Sequence, residues 1–517
     1  MKRVIEMKFR FFLALFCMVF VFVPAPLEAV AADHNRVVNF AYQAITDSFD
    51  FGKINGVAEA ISMSQVYDTL LLKDFDGTFL PNLAESWEIS PDGLEYTFHL
   101  RKGIKWQDGV DFTAADVAFT HRHLIEAPAY AWLYKNNIDR METPDPLTYK
   151  VFLKKPNAYF ISALATTGNG LIMPKHGFEK YGAEYGTAVD KIIGTGAYIV
   201  TDWKPDVSIT YKAKEDYFNG APQIKNAVFH QITDSNAAIV AMQTGEMDIY
   251  LAPISGSAFR TLSGKPDIVL GEYLTARNEA IYMYCKEGIF TDARMRKAVA
   301  YAINKEDALT VAMDGLGQII NYPGDIGSAM TANPDFTPEI TYEQDLVKAR
   351  ELVKEAGFEG TSIVVKSYNT EPYATLGVYL QGVLNEIGLK ATVEPMERAT
   401  FLAQRNAGSA AIFPMGWVGQ AYDIDEVLGS CLYSANQGSG GNNSFYADPK
   451  MDELIEAARA TSVIAERKEI YKKIVDKFME EVPFVSLFAM KGAVPRSADL
   501  TTNNPRAYRL FDYTWAR

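Results

Sequence analysis

Apolar positions along the chain alternate in short runs or recur every three to four residues, which predicts a long series of strands and helices. Val37–Tyr42 (VVNFAY) is apolar and β-rich and reads as an opening strand. Ile61, Val66, Leu70 and Leu71 fall on one side of a helix predicted over 58–72. Residues 88–100 read as a hairpin: Ser90-Pro91-Asp92-Gly93 supplies the turn, and Tyr96, Phe98 and Leu100 alternate after it. A helix over 113–126 is capped by Thr113, with Asp116 three residues on. Strands follow at 149–153 and 196–200, and a helix over Ser235–Thr244 is stopped by Gly245. Beyond it lie a strand at 280–284, a basic amphipathic helix at 292–303 and a helix at 342–356 ended by Gly357. Residues 362–367, 378–387 and 390–393 continue as strand, helix and strand. Residues 411–415 lead to Trp417, helices cover 452–461 and 464–481, and a last strand covers 484–488. There is no internal repeat and no long linker. The low-complexity stretch 437–444 (QGSGGNNS) reads as a flexible surface loop.

This mixed α/β pattern extends over 517 residues, enough for about three domains. The chain is 48% hydrophobic and 22% charged, so it has ample apolar surface to bury and does not read as disordered. Its net charge of −14 gives no basic footprint for nucleic acid. Aromatic residues make up 12%, enough to build large cores and to line a ligand cleft.

The first residues depart from the globular pattern. Lys2, Arg3, Lys8 and Arg10 precede an uncharged apolar run from Phe11 to Val23, and Ala29-Val30-Ala31 follows. That order is a secretory signal peptide over 1–31, cleaved after Ala31 or Ala32. The apolar run would span about 20 Å as a helix, short of a bilayer core of about 30 Å. Bulky Phe16 before Cys17 argues against a lipid-attachment site. The expected location is the periplasm. Export permits disulfides, and Cys285 and Cys431 remain after cleavage, as a bridge or as two thiols.

Catalytic motifs do not appear. There is no G-x-S-x-G elbow, no Walker A loop and no H-E-x-x-H. His121 and His123 lie two apart on a predicted helix, about 200° around it, and so read as one core and one surface histidine. Asp74-Phe75-Asp76-Gly77 lacks the remainder of a calcium loop and reads as a turn. No metal, no cofactor and no catalytic residue is assigned. An acid pair of glycosidase type stays open, because 64 acidic residues always offer pairs.

A dense series of short motifs begins at Val66-Tyr67-Asp68-Thr69-Leu70 and continues with Pro81-Asn82-Leu83-Ala84-Glu85-Ser86-Trp87, Ser90-Pro91-Asp92-Gly93 and Lys105-Trp106-Gln107-Asp108-Gly109. It goes on through Gly194-Thr195-Gly196-Ala197-Tyr198, Tyr217-Phe218-Asn219-Gly220, Gly245-Glu246-Met247-Asp248, residues 290–303 and Gly416-Trp417. In this order the series closely resembles the family 5 extracellular solute-binding proteins, the peptide- and nickel-type receptors of ABC importers. Read from the residues alone, Trp87 and Trp106 are structural aromatics.

The resemblance implies a two-lobed periplasmic-binding-protein fold of type II, the large cluster with an extra subdomain, with mixed sheets flanked by helices. Lobe I would hold residues 32–278 and 492–517, with the extra subdomain near 73–190, and lobe II would hold 279–491. The chain would cross between them near 275–279 and 490–495, and hinge closure would bury a ligand. The implied role is a non-enzymatic, monomeric receptor that captures a peptide or peptide-like solute and delivers it to a membrane permease. A sugar, an opine-like conjugate or a nickel complex is the alternative ligand, and a secreted hydrolase the alternative class. Peptide-binding members place an acid three residues after the Gly-Trp tryptophan, where it meets the ligand's ammonium group. Here that position is Gln420, which is neutral; Asp423 and Asp425 follow and could serve if the loop is shifted. Trp417 leads the contact candidates, followed by Tyr422 and Asp423. Tyr130 and Trp132 of an aromatic cluster with Tyr134, Asn169, Tyr42 and Asp47 complete the set, with Arg405 as a possible carboxylate partner.

Overall fold

The computed structural model describes residues 35–517, except 55–56, 75–76, 253, 327–329, 335, 420–421, 439–440, 505–506 and 517. The signal-peptide expectation and Gln420 therefore lie outside the described residues.

One large mixed sheet runs through the molecule. Its strands are β1 (Val37–Tyr42), β2 (Tyr198–Lys204), β3 (Ser208–Ala213), β4 (Asn226–Gln231) and β5 (Ile249–Tyr250). They continue as β6 (Ile268–Met283), β7 (Gly317–Ile319), β8 (Ser362–Tyr368), β9 (Lys390–Met396), β10 (Ile412–Val418) and β11 (Phe484–Ser497). The order across the sheet is β9-β8-β10-β6-β11-β5-β1-β4-β3-β2, with β7 also on β11. β1 is parallel to β4 and β5, whereas β6 and β11 are antiparallel.

β6 and β11 are the longest strands of this sheet, and each passes from one hydrophobic cluster into another. Tyr273 and Val494 belong to the first cluster, and Ala276, Ala280 and Ala489 to the second. Their pairing runs from Ile268↔Ser497 to Leu274↔Lys491, resumes at Asn278↔Ala489 and ends at Tyr282↔Phe484. The shifted register leaves Thr275–Arg277 outside the ladder with β11, and the Thr275 hydroxyl donates to the Met490 carbonyl at 2.8 Å. A third, smaller cluster lies under the helix Ser235–Thr244.

The first cluster also carries a separate four-stranded antiparallel sheet, built from Ala84–Ile89, Glu95–Leu100, Thr148–Leu153 and Ile138–Asp145 in that order. The Ser90–Gly93 turn closes its first hairpin, with Gly93 at φ 68° and its N–H on the Ser90 carbonyl. Helix α1 (Ala114–Glu126) packs on this sheet; its Asp116 carboxylate accepts from the N–H groups of Thr113 and Lys175, both at 2.9 Å. Three further helices position the site: α2 (Tyr159–Leu164), α3 (Pro449–Ala460) and α4 (Ile464–Glu481).

Several motifs that carried the resemblance meet at one buried point. The Asp68 carboxylate accepts from Thr195 Oγ1 at 2.9 Å and from the Tyr217 hydroxyl at 2.7 Å. The Gly196 N–H donates to the Val66 carbonyl at 2.8 Å, and a side chain at Gly194 would collide with that same carbonyl. This is why the predicted helix over 58–72 stops at Met63: the chain beyond it is held in a turn and enters the strand Leu71–Lys73. Residues 441–444, in the stretch 437–444, also depart from its reading as a surface loop. Asn442, Asn443 and Ser444 are buried. The Asn442 amide donates to the Tyr446 and Tyr433 carbonyls and its oxygen accepts from the Tyr446 N–H, so the side chain replaces water for its own loop.

Candidate functional site

A cleft of about 1130 Å³ opens between elements of the two large clusters. Its volume lies just above the range of about 300–1,000 Å³ usual for small-ligand sites. Tyr130, Trp132, Lys155, Tyr159 and Asn169 form one wall, from the part of the chain that packs into the first cluster. Trp417, Asp425, Glu426, Tyr433, Glu456 and Arg459 form the other, from the second cluster's side.

The sheet delivers Trp417. β10 pairs with β6, setting Trp417 opposite Asn278, and the indole N–H donates to the Glu426 carbonyl at 2.9 Å. The ring is also backed by Gly441, where a side chain would come within 3.0 Å of it. With its polar edge used, Trp417 offers the cleft an apolar face. On the opposite wall Tyr130 is almost fully buried and Trp132 is 46% exposed, its ring 6.1 Å from that of Tyr159. Asn169 is buried at the base of this wall; its amide donates to Thr166 Oγ1 and its carbonyl accepts from the Tyr134 hydroxyl at 2.6 Å.

Tyr42, Asp47, Tyr422, Asp423 and Arg405 do not line the cleft. Tyr42 is the last residue of β1, where burial pushes its hydroxyl up to about 12, and Asp47 is exposed. Tyr422 takes a left-handed backbone, φ 50°, and its carbonyl accepts from Lys73 Nζ and from the Thr331 N–H, each at 2.8 Å. Arg405 is buried against its own cluster, donating to Asn406 Oδ1 and reaching the Met415 sulfur.

Asp423 is wholly buried and bound on both oxygens by Arg467, at 2.7 and 3.0 Å. Its carboxylate also accepts from the Asp425 N–H at 3.0 Å and from Ser162 Oγ of α2 at 2.9 Å. Burial alone would raise this carboxyl group's pKa, but the Arg467 guanidinium outweighs burial and holds it below the usual range. A carboxylate so fully bound has no capacity left for a ligand's ammonium group. Asp425 is engaged as well, by Arg459 Nε at 2.9 and 3.0 Å and by the Tyr471 hydroxyl at 2.8 Å.

Tyr159, Glu426, Tyr433, Glu456, Arg459 and Lys155 line the cleft without having been singled out from the sequence. Glu456 and Arg459 fall within the helix predicted over 452–461, and the structure brings them to Tyr433 and Asp425. Among the described residues no group of three or more His, Cys, Asp or Glu side chains is placed to hold a metal ion. Cys285 and Cys431 are both free thiols, pushed up to about 12 by burial.

Residues 78–439 match the family described as bacterial extracellular solute-binding proteins, family 5 Middle. This chain belongs to that family. The family 5 chain is 30% identical over 437 residues to the glutathione-binding protein GsiB of Escherichia coli K12, covering 81% of this chain and 82% of that protein. It shares its fold with HbpA2 from Haemophilus parasuis, at a TM-score of 0.83 and 24% identity over 93% of this chain and all of that one. DppA from Helicobacter pylori, solved in complex with the peptide STSA, aligns at a TM-score of 0.71 and 25% identity over 93% of this chain and 98% of that one. The two-lobed periplasmic-binding-protein fold expected of the family is thus the fold of this chain. Its members are solute-binding receptors, and among the described residues no helix is long and apolar enough to cross a membrane.

Proposed function

We propose that this protein is the exported receptor of an ABC importer that captures a peptide or peptide-like solute, without catalysis, and passes it to a membrane permease. The observation that carries the reading is the cleft itself. It draws aromatic faces and a few polar groups from both hydrophobic clusters, the composition of a site that encloses a small amphipathic solute. The names of the relatives support the peptide class, since glutathione and STSA are both peptides.

In this reading lobe I comprises 32–278 and 492–517, with a subdomain near 73–190, and lobe II comprises 279–491. Residues Thr275–Arg277 of β6, which do not pair with β11, and the facing part of β11 form the hinge. Closure brings Trp417 toward Trp132 and Tyr159, and a ligand that touches both walls selects the closed form. Residues 1–31 direct export.

A thermal-shift screen of short peptides, glutathione, sugars, opine-like compounds and Ni²⁺, followed by product analysis, tests the proposal. A peptide present at 100 times its dissociation constant should stabilise the protein by about 2.7 kcal/mol and be recovered intact. Stabilisation by sugars or nickel alone would reassign the ligand class, and consumption of any compound would replace the receptor by an enzyme.

A further inference from the structure

We propose that Arg459 is the residue that grips a carboxylate of the solute; the assignment rests on the cleft being the ligand site and names the chemistry it selects. Arg459 stands in the last turn of α3 and lines the cleft. Its Nε is used: both oxygens of Asp425 accept from it, at 2.9 and 3.0 Å, and Asp425 is itself fixed by the Tyr471 hydroxyl. Its guanidinium carbon lies 5.0 Å from the centroid of the Tyr433 ring, which supports one face of the fork. Among the described residues Nη1 and Nη2 make no hydrogen bond, and Asp425 is the only carboxylate paired with Arg459.

A guanidinium has five N–H donors in a rigid plane, and only one is used here. The other four lie on its two terminal nitrogens, whose spacing matches the two oxygens of a carboxylate. Held at Nε and at one face, the fork loses little further freedom when an anion arrives. Lys155, exposed on the opposite wall and without a hydrogen bond or ion pair among the described residues, supplies a second cation on the far side of the solute.

The remaining charges favour a zwitterion over a phosphate. Glu456 lies one turn before Arg459 on α3, lines the same wall and accepts from the Tyr433 hydroxyl at 2.6 Å. Glu426 also lines the cleft, with Tyr159 Oη at 3.4 Å from its carboxylate. Two carboxylates repel a dianion but suit a molecule that carries an ammonium group as well as a carboxylate. Tyr433 thus sets an acid beside the anion-binding fork on one wall of the cleft.

The test compares glutathione, as the free acid and with both carboxylates amidated, and the tetrapeptide Ser-Thr-Ser-Ala, as the free acid and as the C-terminal amide, by calorimetric titration of the wild type, Arg459→Gln and Arg459→Lys. The wild type should bind the acid of at least one peptide about tenfold more tightly than its amide. Arg459→Gln should lose that preference, and Arg459→Lys should retain part of it. Equal binding of acid and amide by the wild type, which needs no variant to fold, would overturn the assignment. So would an acid preference that survives in Arg459→Gln. If the wild type binds none of the four compounds, the peptide reading of the cleft falls and the role of Arg459 falls with it.

Discussion

His121 lies wholly inside the layer between α1 and its sheet, with Nδ1 2.6 Å from the Tyr149 hydroxyl. Burial pushes its pKa down to about 3, so the folded protein keeps it neutral where the unfolded chain would take up a proton. The unfolded state therefore binds more protons as pH falls from about 6.5 toward 3, and this single group draws stability out of the fold across that window. His121→Gln should flatten the loss, so that denaturant midpoints fall less between pH 7 and pH 4 than in the wild type; parallel curves would show that His121 is not the group responsible. His123, two residues on, meets Asp50 at 2.8 Å and remains partly exposed. This divergence was legible in the sequence, because helical geometry separates residues two apart. Asp423 was not legible in the same way. An acid near a ligand cleft and an acid in a buried ion pair look alike, and its partner Arg467 lies 44 residues further on. Arg459 was hidden for a similar reason: its charge fits a solvated helix face until Asp425 and Tyr433 are seen to hold it.

At the scale of elements, α2 is the piece that joins the two walls. Ser162 donates to the buried Asp423, Tyr159 approaches Glu426, and the Ala158 N–H donates to the Arg459 carbonyl at 3.0 Å. Each of these bonds links the first cluster's side of the molecule to the second's. A hydroxyl bonded to a charged group contributes about 1.5–3 kcal/mol. In the proposed receptor much of that contribution would be present only when the lobes are closed. Ser162→Ala should therefore speed ligand release by about tenfold in stopped-flow measurements, with the melting temperature of the ligand-free protein little changed. Unchanged release would remove α2 from the closing contact. The sequence disclosed this helix poorly: six residues give too little periodicity to stand out. The capped helix α1 and the long α4 were plain from their apolar spacing. Residues 437–444 misled because glycine, serine and asparagine mark exposed loops by composition, whereas Asn442 bonds to the backbone of Tyr446 and is buried with Asn443 and Ser444.

For the whole molecule, the relevant feature is that two strands of one sheet serve two hydrophobic clusters. β6 and β11 pass between them where their ladder is interrupted, so the clusters are tied together at a narrow waist and meet again across the cleft. The two-lobed fold was legible in the order of short motifs along the chain. The cleft's chemistry was not, because it depends on residues from distant segments, such as Lys155 and Arg459, facing one another. That chemistry leads to the central claim: the cleft holds one solute molecule and returns it unchanged. Native mass spectrometry of the protein with a bound peptide, followed by release under denaturing conditions, measures both halves of the claim at once. The account predicts a one-to-one complex that Trp417→Ala weakens, and a released mass identical to the mass added. A complex indifferent to Trp417, or a released product of altered mass, would contradict it.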